Sequence, residues 1–460
     1  MEATNLINEN KKTAQYPRSI PFIIGNEAAE RFSFYGMRSI LSTFLVAQFF
    51  NPTHNSALQS VAEAKANDQV HFFVALAYFM PLIGGLVADW FFGKYKVILY
   101  VSMIYCVGHL FLAMFDTDLD WFTYGLLLIA IGAGGIKSCV SANVGDQFDQ
   151  SNQHLMSKIY GWFYFSINSG SVISTMLIPY LYANYGASVA FGVPGILMAL
   201  ATVIFWSGRH RYVKVPPIGL KNALADVQMW KENLGAMGRV MSVFIFIPAF
   251  WALWDQNLSE WVLQATKLDL TIFDGFTVLP EQVQTVNPFF LVTMIPVFTY
   301  GVYPLLERLG INFTPLRKMG VGLFLSGVSF VIIAQLQERI DAGQHPTVWW
   351  QILAYLILSA SEVLVSITSL EYAYTHSPKA IKSLMSSLYL LVISAGNLFV
   401  SFVNQSIANK GFFARFEGAE YYWFFVKLMA INLVLYVIAS VFVKEKNYIE
   451  PVAEVGHLPE

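Results

Sequence analysis

The sequence predicts an all-α membrane protein of 12 transmembrane helices in two six-helix bundles, on three observations. Of 460 residues, 56% are hydrophobic and 13% charged, about half the charged fraction of ordinary soluble domains. Apolar runs near the roughly 20 residues that span a bilayer recur along the chain. One long polar stretch, Arg209 to Arg239, divides those runs six and six.

The first run, near Pro21 to Phe49, carries Glu27, Glu30, Arg31 and Arg38. The second, Val70 to Phe92, holds His71, and the third is Val97 to Met114. The fourth, Trp121 to Ala142, holds Lys137; Ile159 to Tyr182 and Ser188 to Trp206 follow. Beyond the linker come Val240 to Leu263 with Asp255, Pro288 to Leu306, Lys318 to Leu336, Val348 to Tyr374 with Glu362, Ile381 to Gln405, and Tyr422 to Val443. Runs above 25 residues must tilt, bend or project. The expected organisation is a tail (1–20), an N-terminal bundle (21–207), a linker (208–239), a C-terminal bundle (240–444) and a second tail (445–460).

Lys and Arg fall overwhelmingly in alternate loops, including the linker and both tails; the opposite side holds only Lys65, Lys267, Arg339, Lys410 and Arg415. Positive residues accumulate on the cytoplasmic side, so both termini and the linker are expected there, in a multi-pass cell (inner) membrane protein. The polar start through Arg18 lacks the pattern of a cleaved secretory signal, so the first run is expected to be retained. A net charge of −2 and a pI near 6.5 leave no basic surplus for nucleic acid. Cys106 and Cys139 lie in apolar runs without metal-ligand spacing. No metal or other cofactor is expected, and no nucleic-acid partner. The sequence carries no His-Glu-x-x-His, Gly-x-Ser-x-Gly or Walker motif, so neither an enzyme nor an ATP-driven pump is expected.

Ionisable groups within spans cost at least ~2.5 to 3.5 kcal/mol each on insertion scales and normally face a partner or a wet cavity. At about 100° per residue, Glu27, Arg31, Phe34 and Arg38 share one sector of the first helix, with Glu30 at its edge. Glu27 and Arg31 can be a simple i,i+4 ion pair. Lys137 and Glu362, in opposite halves, instead suit the two ends of a zwitterion: a carboxylate for Arg31 and Lys137, an amine for Glu362. A carboxylate released from Arg31 by substrate would gain affinity for a proton. One proton moving down 100 mV and one pH unit supports roughly 500-fold accumulation of a neutral zwitterion.

The stretch Glu27-Ala-Ala-Glu30-Arg31-Phe32-Ser33-Phe34-Tyr35 resembles the ExxER signature of proton-dependent oligopeptide transporters of the major facilitator superfamily. Gly134-Gly135-Ile136-Lys137 through Asp146-Gln147-Phe148, Phe163 to Ser171, Phe250 to Gln256 and Ser361 to Ser366 are similar to further motifs of that family, in order and in both halves. Gly85 to Asp89 with Gly93-Lys94 resembles the superfamily's loop between helices two and three, a cytoplasmic gate or simply a tight turn.

The resemblance implies the major facilitator fold and proton-driven import of di- and tripeptides by alternating access, with a monomer sufficient. It implies proton coupling by Glu27, Glu30, Arg31, His71 and Glu362. It places Arg31 and Lys137 at the peptide carboxylate and Glu362 with Asn168 at its amine. Tyr35, Tyr78, Tyr164, Trp251, Asn287 and Ser366 match further pocket positions, although Asn287 before Pro288 can also cap a helix. Arg38 and Asp255 are a gate or a permanent ion pair; His71 assists proton transfer or packs. Phe34, Ser138 and Tyr389 depart from the usual tyrosine, proline and tryptophan. The rival functions are a proton-coupled transporter of another small solute, such as nitrate or an amino acid, and a transport-dead peptide sensor.

Overall fold

The computed structural model describes residues 16–51, 59–149, 152, 155–378 and 381–443. Most of both expected tails, with Lys11, Lys12, Lys379, Lys444 and Lys446 of the charge count, lies outside these residues.

Six helices form the first half: α1 (Ile20–Gln48), α2 (Gln59–Val87), α3 (Lys94–Met114), α4 (Leu119–Gly145), α5 (Met156–Tyr185) and α6 (Ala187–Ser207). Two helices that the polar linker had hidden follow, α7 (Leu220–Glu232) and α8 (Leu234–Phe244). The seventh span is α8 with α9 (Ile247–Trp254) and α10 (Glu260–Ala265), bent by 45°. Pro248 opens α9, and a 3-10 turn at Asp255–Leu258 separates α9 from α10. A short hairpin, β1 (Thr271–Phe273) and β2 (Phe276–Thr277), precedes the eighth span, α11 (Val286–Pro296) with α12 (Tyr303–Arg308). The remaining spans are α13 (Pro315–Asp341), α14 (Trp349–Glu362) with α15 (Thr368–Thr375), α16 (Lys382–Ala408) and α17 (Ala419–Phe442).

Among the described residues, nine of these spans are long and apolar enough to cross a membrane, and the bent pair makes a tenth. The other two, α1 and α5, are 29 and 30 residues long. α1 falls short in apolarity through its four ionisable side chains, and α5 through its Ser, Asn and Tyr.

Two apolar cores hold the halves. One gathers residues from Ile20 to Tyr212, the other chiefly from Ala236 to Tyr436, with Tyr78 packed against both. Across the halves, α16 packs along α2; within the first half, α1 packs on α5. The glycines of the fourth-helix motif have a packing cause. A Cβ on Gly134 would meet the Met80 Cβ at 2.2 Å, and one on Gly135 the Val101 side chain at 2.8 Å, so α4 lies tight on α2 and α3 and fixes the depth of Lys137.

π turns mark three places where spans change pitch: Ala88–Phe92 after Pro81, Val297–Val302 after Pro296, and Val363–Ile367 directly after Glu362. A proline within a helix removes a backbone donor, and π turns recur at functional sites. The turn at Ala88–Phe92 ends on Gly93 at φ 80°, and Lys94 then pairs with Asp146 at 2.8 Å.

Candidate functional site

Arg31 lies between two carboxylates of its own helix. Its Nε is 2.7 Å from Glu27 Oε1 and 3.1 Å from Glu30 Oε2, and Glu30 is fully buried. The i,i+4 pair read from the sequence is therefore present, with a second acid added to it.

Lys137, on α4, takes a different arrangement. Its Nζ stands 3.7 Å from the ring centroid of Phe34 and 4.6 Å from that of Tyr78, and has no hydrogen-bond partner among the described residues. Two aromatic faces attract an ammonium electrostatically while leaving its three donors uncommitted. Phe34, flagged as a departure from tyrosine, keeps the ring contact and contributes no hydroxyl.

The anionic pole is built on the other half. Glu362 ends α14 at the start of its π turn, and its Oε2 accepts from Trp254 Nε1 at 2.9 Å and from Asn287 Nδ2 at 3.1 Å. Asn287 also donates to Ser359 Oγ at 3.0 Å. Its amide is thus turned across to α14, and no side chain caps α11; the capping alternative is set aside. Tyr35, Asn168, Asn287, Trp254 and Glu362 together line a cavity of about 60 Å³. Asn168 itself donates to the Tyr164 carbonyl at 2.9 Å, and Tyr164 is half exposed. Phe34 and Tyr35 are consecutive, with ring centroids 5.6 Å apart. One α1 segment therefore touches both poles, Lys137 through Phe34 and the Glu362 cavity through Tyr35.

Trp251 stacks edge-on against Trp254 at 5.2 Å and faces Tyr389 at 6.5 Å, while the Tyr389 hydroxyl lies 3.2 Å from Ser366 Oγ. An aromatic wall thus joins Ser366 to Glu362. Tyr389, read only as a departure from tryptophan, supplies a hydroxyl that tryptophan lacks.

Arg38 and Asp255 meet across the halves at 2.7 Å, each with a side chain 1% exposed. Asn397 on α16 then donates to Asp255 Oδ2 at 2.6 Å and to the Ile393 carbonyl at 3.1 Å. Both donations require its NH₂, so its Oδ1 faces His71 Nδ1, 2.8 Å away. The network assigns a proton to Nδ1, which leaves Nε2 of neutral His71 to accept from Ser259 Oγ at 2.8 Å. His71 is joined to the Arg38–Asp255 pair through one amide. Gln284 Nε2 donating to the Ser39 carbonyl at 3.1 Å and Thr285 donating to Thr175 at 3.0 Å fasten the same end. At the other end a cleft of about 470 Å³ lies between α2 and α4 on one side and α16 on the other, bordered by Trp230 of α7.

Sequence reasoning missed Trp254, Ser259 and Asn397. Trp254 was within a quoted motif, three residues after Trp251; for the two small polar residues, separated from His71 by 188 and 326 positions, no local signal exists.

The fold is that of a helical membrane protein with the major facilitator architecture. The chain belongs to the POT family, whose sequence profile matches residues 95–230 and 220–424. It is 35% identical to mouse (Mus musculus) solute carrier family 15 member 2 over 404 residues, which is 77% of this chain and 54% of that protein. It is 38% identical to Drosophila melanogaster peptide transporter family 1 over 374 residues, 72% of this chain and 49% of that one. The chain spans about half the length of these curated relatives. Among solved structures, an auto-inhibited POT family peptide transporter aligns with a TM-score of 0.86 at 34% identity, covering 95% of this chain and 99% of that one. The POT family transporter PepTSo aligns at 0.83 and 36%, covering 93% and 99%.

Proposed function

We propose that this chain is a proton-coupled symporter that imports di- and tripeptides by alternating access. The observation that carries the reading is the separation of charge: an ammonium at Lys137 that sits against two aromatic rings with no hydrogen-bond partner among the described residues, and a carboxylate cradled by neutral donors at Glu362. A peptide supplies the missing counter-charge to each. Its carboxylate pairs with Lys137 and Arg31, and its amine with Glu362 beside Asn168 and Asn287. Tyr35, Tyr78, Tyr164, Trp251 and Ser366 form the walls, which orient the backbone while admitting varied side chains. The name of the fly relative supports a peptide as the solute.

Proton coupling is assigned to Glu27, Glu30, Arg31, His71 and Glu362. When the peptide carboxylate engages Arg31, Glu27 and Glu30 lose part of their counter-charge and take up a proton more readily. At the gate, a proton on His71 Nε2 places a second cation beside Asp255, which competes with Arg38 and loosens the closed end. Two halves, 21–207 and 240–444, then rock about the site, with the 208–239 linker and both termini cytoplasmic in a cell membrane. A solute without an amine, such as nitrate, gives Glu362 nothing to bind. The test is uptake of labelled dialanine by proteoliposomes with an inward proton gradient. Accumulation above the external concentration, abolished by a protonophore, supports the reading; equal uptake with and without the gradient opposes it.

A further inference from the structure

Glu63, Asn67 and His71 recur every four residues and form one stripe of α2 facing the C-terminal half. Each has its partner on or just after the broken seventh span. Glu63 pairs with Lys267 at 2.8 Å, Asn67 Nδ2 donates to Glu260 Oε2, and His71 Nε2 meets Ser259 Oγ at 2.8 Å. Ser259 and Glu260 are consecutive, as Asn67 and His71 are one turn apart. A file of polar groups therefore descends from the partly exposed Lys267 to His71 and on through Asn397 to Asp255 and Arg38.

The upper part of the file opens into a cavity of about 230 Å³ lined by Glu63, Glu260, Lys267, Asp341 and Tyr421. This volume holds several waters. It lies at the closed end, where Arg38 and Asp255 seal the route to the substrate poles, so a proton can reach Glu260 while a peptide is held out.

From this geometry we propose that Glu260 is the outer proton acceptor of the cycle and that it hands its proton to His71. The inference rests on the symport reading above. In the transfer, the Glu260 carboxylic acid gives up its proton and returns to carboxylate. Ser259 Oγ gains one proton and releases its own to His71 Nε2, and His71 becomes imidazolium. The titratable groups that line the cavity with Glu260 are Glu63 from α2, Lys267 after α10, Asp341 from α13, Glu417 before α17, and Tyr421 and Tyr422 from α17; Asp68 and His71 stand further along α2. Among them Lys267 is paired with Glu63 and Asp68 accepts from Ser401. Glu260 is the acid whose side chain both borders the cavity and touches the stripe above His71.

Proteoliposomes loaded with dialanine separate the outcomes. Glu260→Gln is expected to lower proton-driven uptake at least tenfold and flatten its dependence on external pH, while dialanine exchange falls less than twofold. Glu260→Asp restores the pH dependence. Asn67→Ala removes the same contact between halves but keeps the wild-type pH profile; a mere latch would make Asn67→Ala and Glu260→Gln behave alike, and that result overturns the inference. Unimpaired proton-driven uptake by Glu260→Gln also overturns it, without touching the symport reading. Wild-type protein that shows no proton-driven uptake overturns the symport reading itself.

Discussion

The ammonium of Lys137 lies 3.7 Å from the centroid of the Phe34 ring, on a helix whose next residue, Tyr35, borders the cavity of Glu362. The cation is stored against aromatic faces with no hydrogen-bond partner among the described residues, so its donors are open to a ligand carboxylate. Lys137→Ala removes a charge-assisted hydrogen bond of about 1.5 to 3 kcal/mol. Dialanine affinity is expected to fall roughly 10- to 150-fold in a binding assay by tryptophan fluorescence. Phe34→Ala is expected to fall by less, because a cation–π contact contributes about 0.5 to 2 kcal/mol.

Glu362 depends on two neutral donors. Trp254→Phe removes one of them and leaves the ring stack on Trp251 in place. The loss is expected to be about 1 kcal/mol, a several-fold weaker dipeptide KM with little change in an N-acetylated dipeptide, which has no amine to place there. Equal losses for the two ligands would show that Trp254 acts on packing and not on the amine end.

The buried pair at the closed end makes a stability prediction. Asp255→Ala leaves Arg38, 1% exposed, without its carboxylate, a change that costs about 3 to 5 kcal/mol for pairs of this kind. Thermal unfolding in detergent is expected to shift down sharply for Asp255→Ala. In Arg38→Met/Asp255→Leu most of that shift is recovered, since neither buried charge remains.

Helix spacing makes another. The Cβ of Gly134→Ala would sit 2.2 Å from Met80 Cβ, so α4 must move off α2, at a cost of about 1 to 3 kcal/mol for overpacking. Gly134→Ala is expected to melt lower than wild type, and Met80→Gly in the same chain to restore part of the loss.

The apolar runs made the helical membrane fold legible, because few other folds tolerate so little charge. The charged site residues were legible for the same reason: Glu27, Glu30, Arg31, Arg38, Lys137, Asp255 and Glu362 are expensive in a bilayer, so each called for an explanation. What hydropathy hid was polar secondary structure. Gln59 to Asp68 reads as a loop before a helix at Val70, whereas α2 starts at Gln59 and uses Glu63, Asn67 and Asp68 to grip the other half. The linker conceals α7 and the start of the seventh span in the same way. Neutral partners were equally silent. Asn397, Ser259 and Trp254 carry no charge to betray them, and only the fold brings them to His71 and Glu362.

Glu27 is the member of the α1 cluster whose loss tests coupling most directly, since its carboxylate holds Arg31 at 2.7 Å. The decisive measurement is dialanine transport in proteoliposomes by wild type and Glu27→Gln, each assayed for proton-driven accumulation and for peptide exchange. The account predicts that Glu27→Gln keeps exchange and loses accumulation. Full accumulation by Glu27→Gln would contradict it.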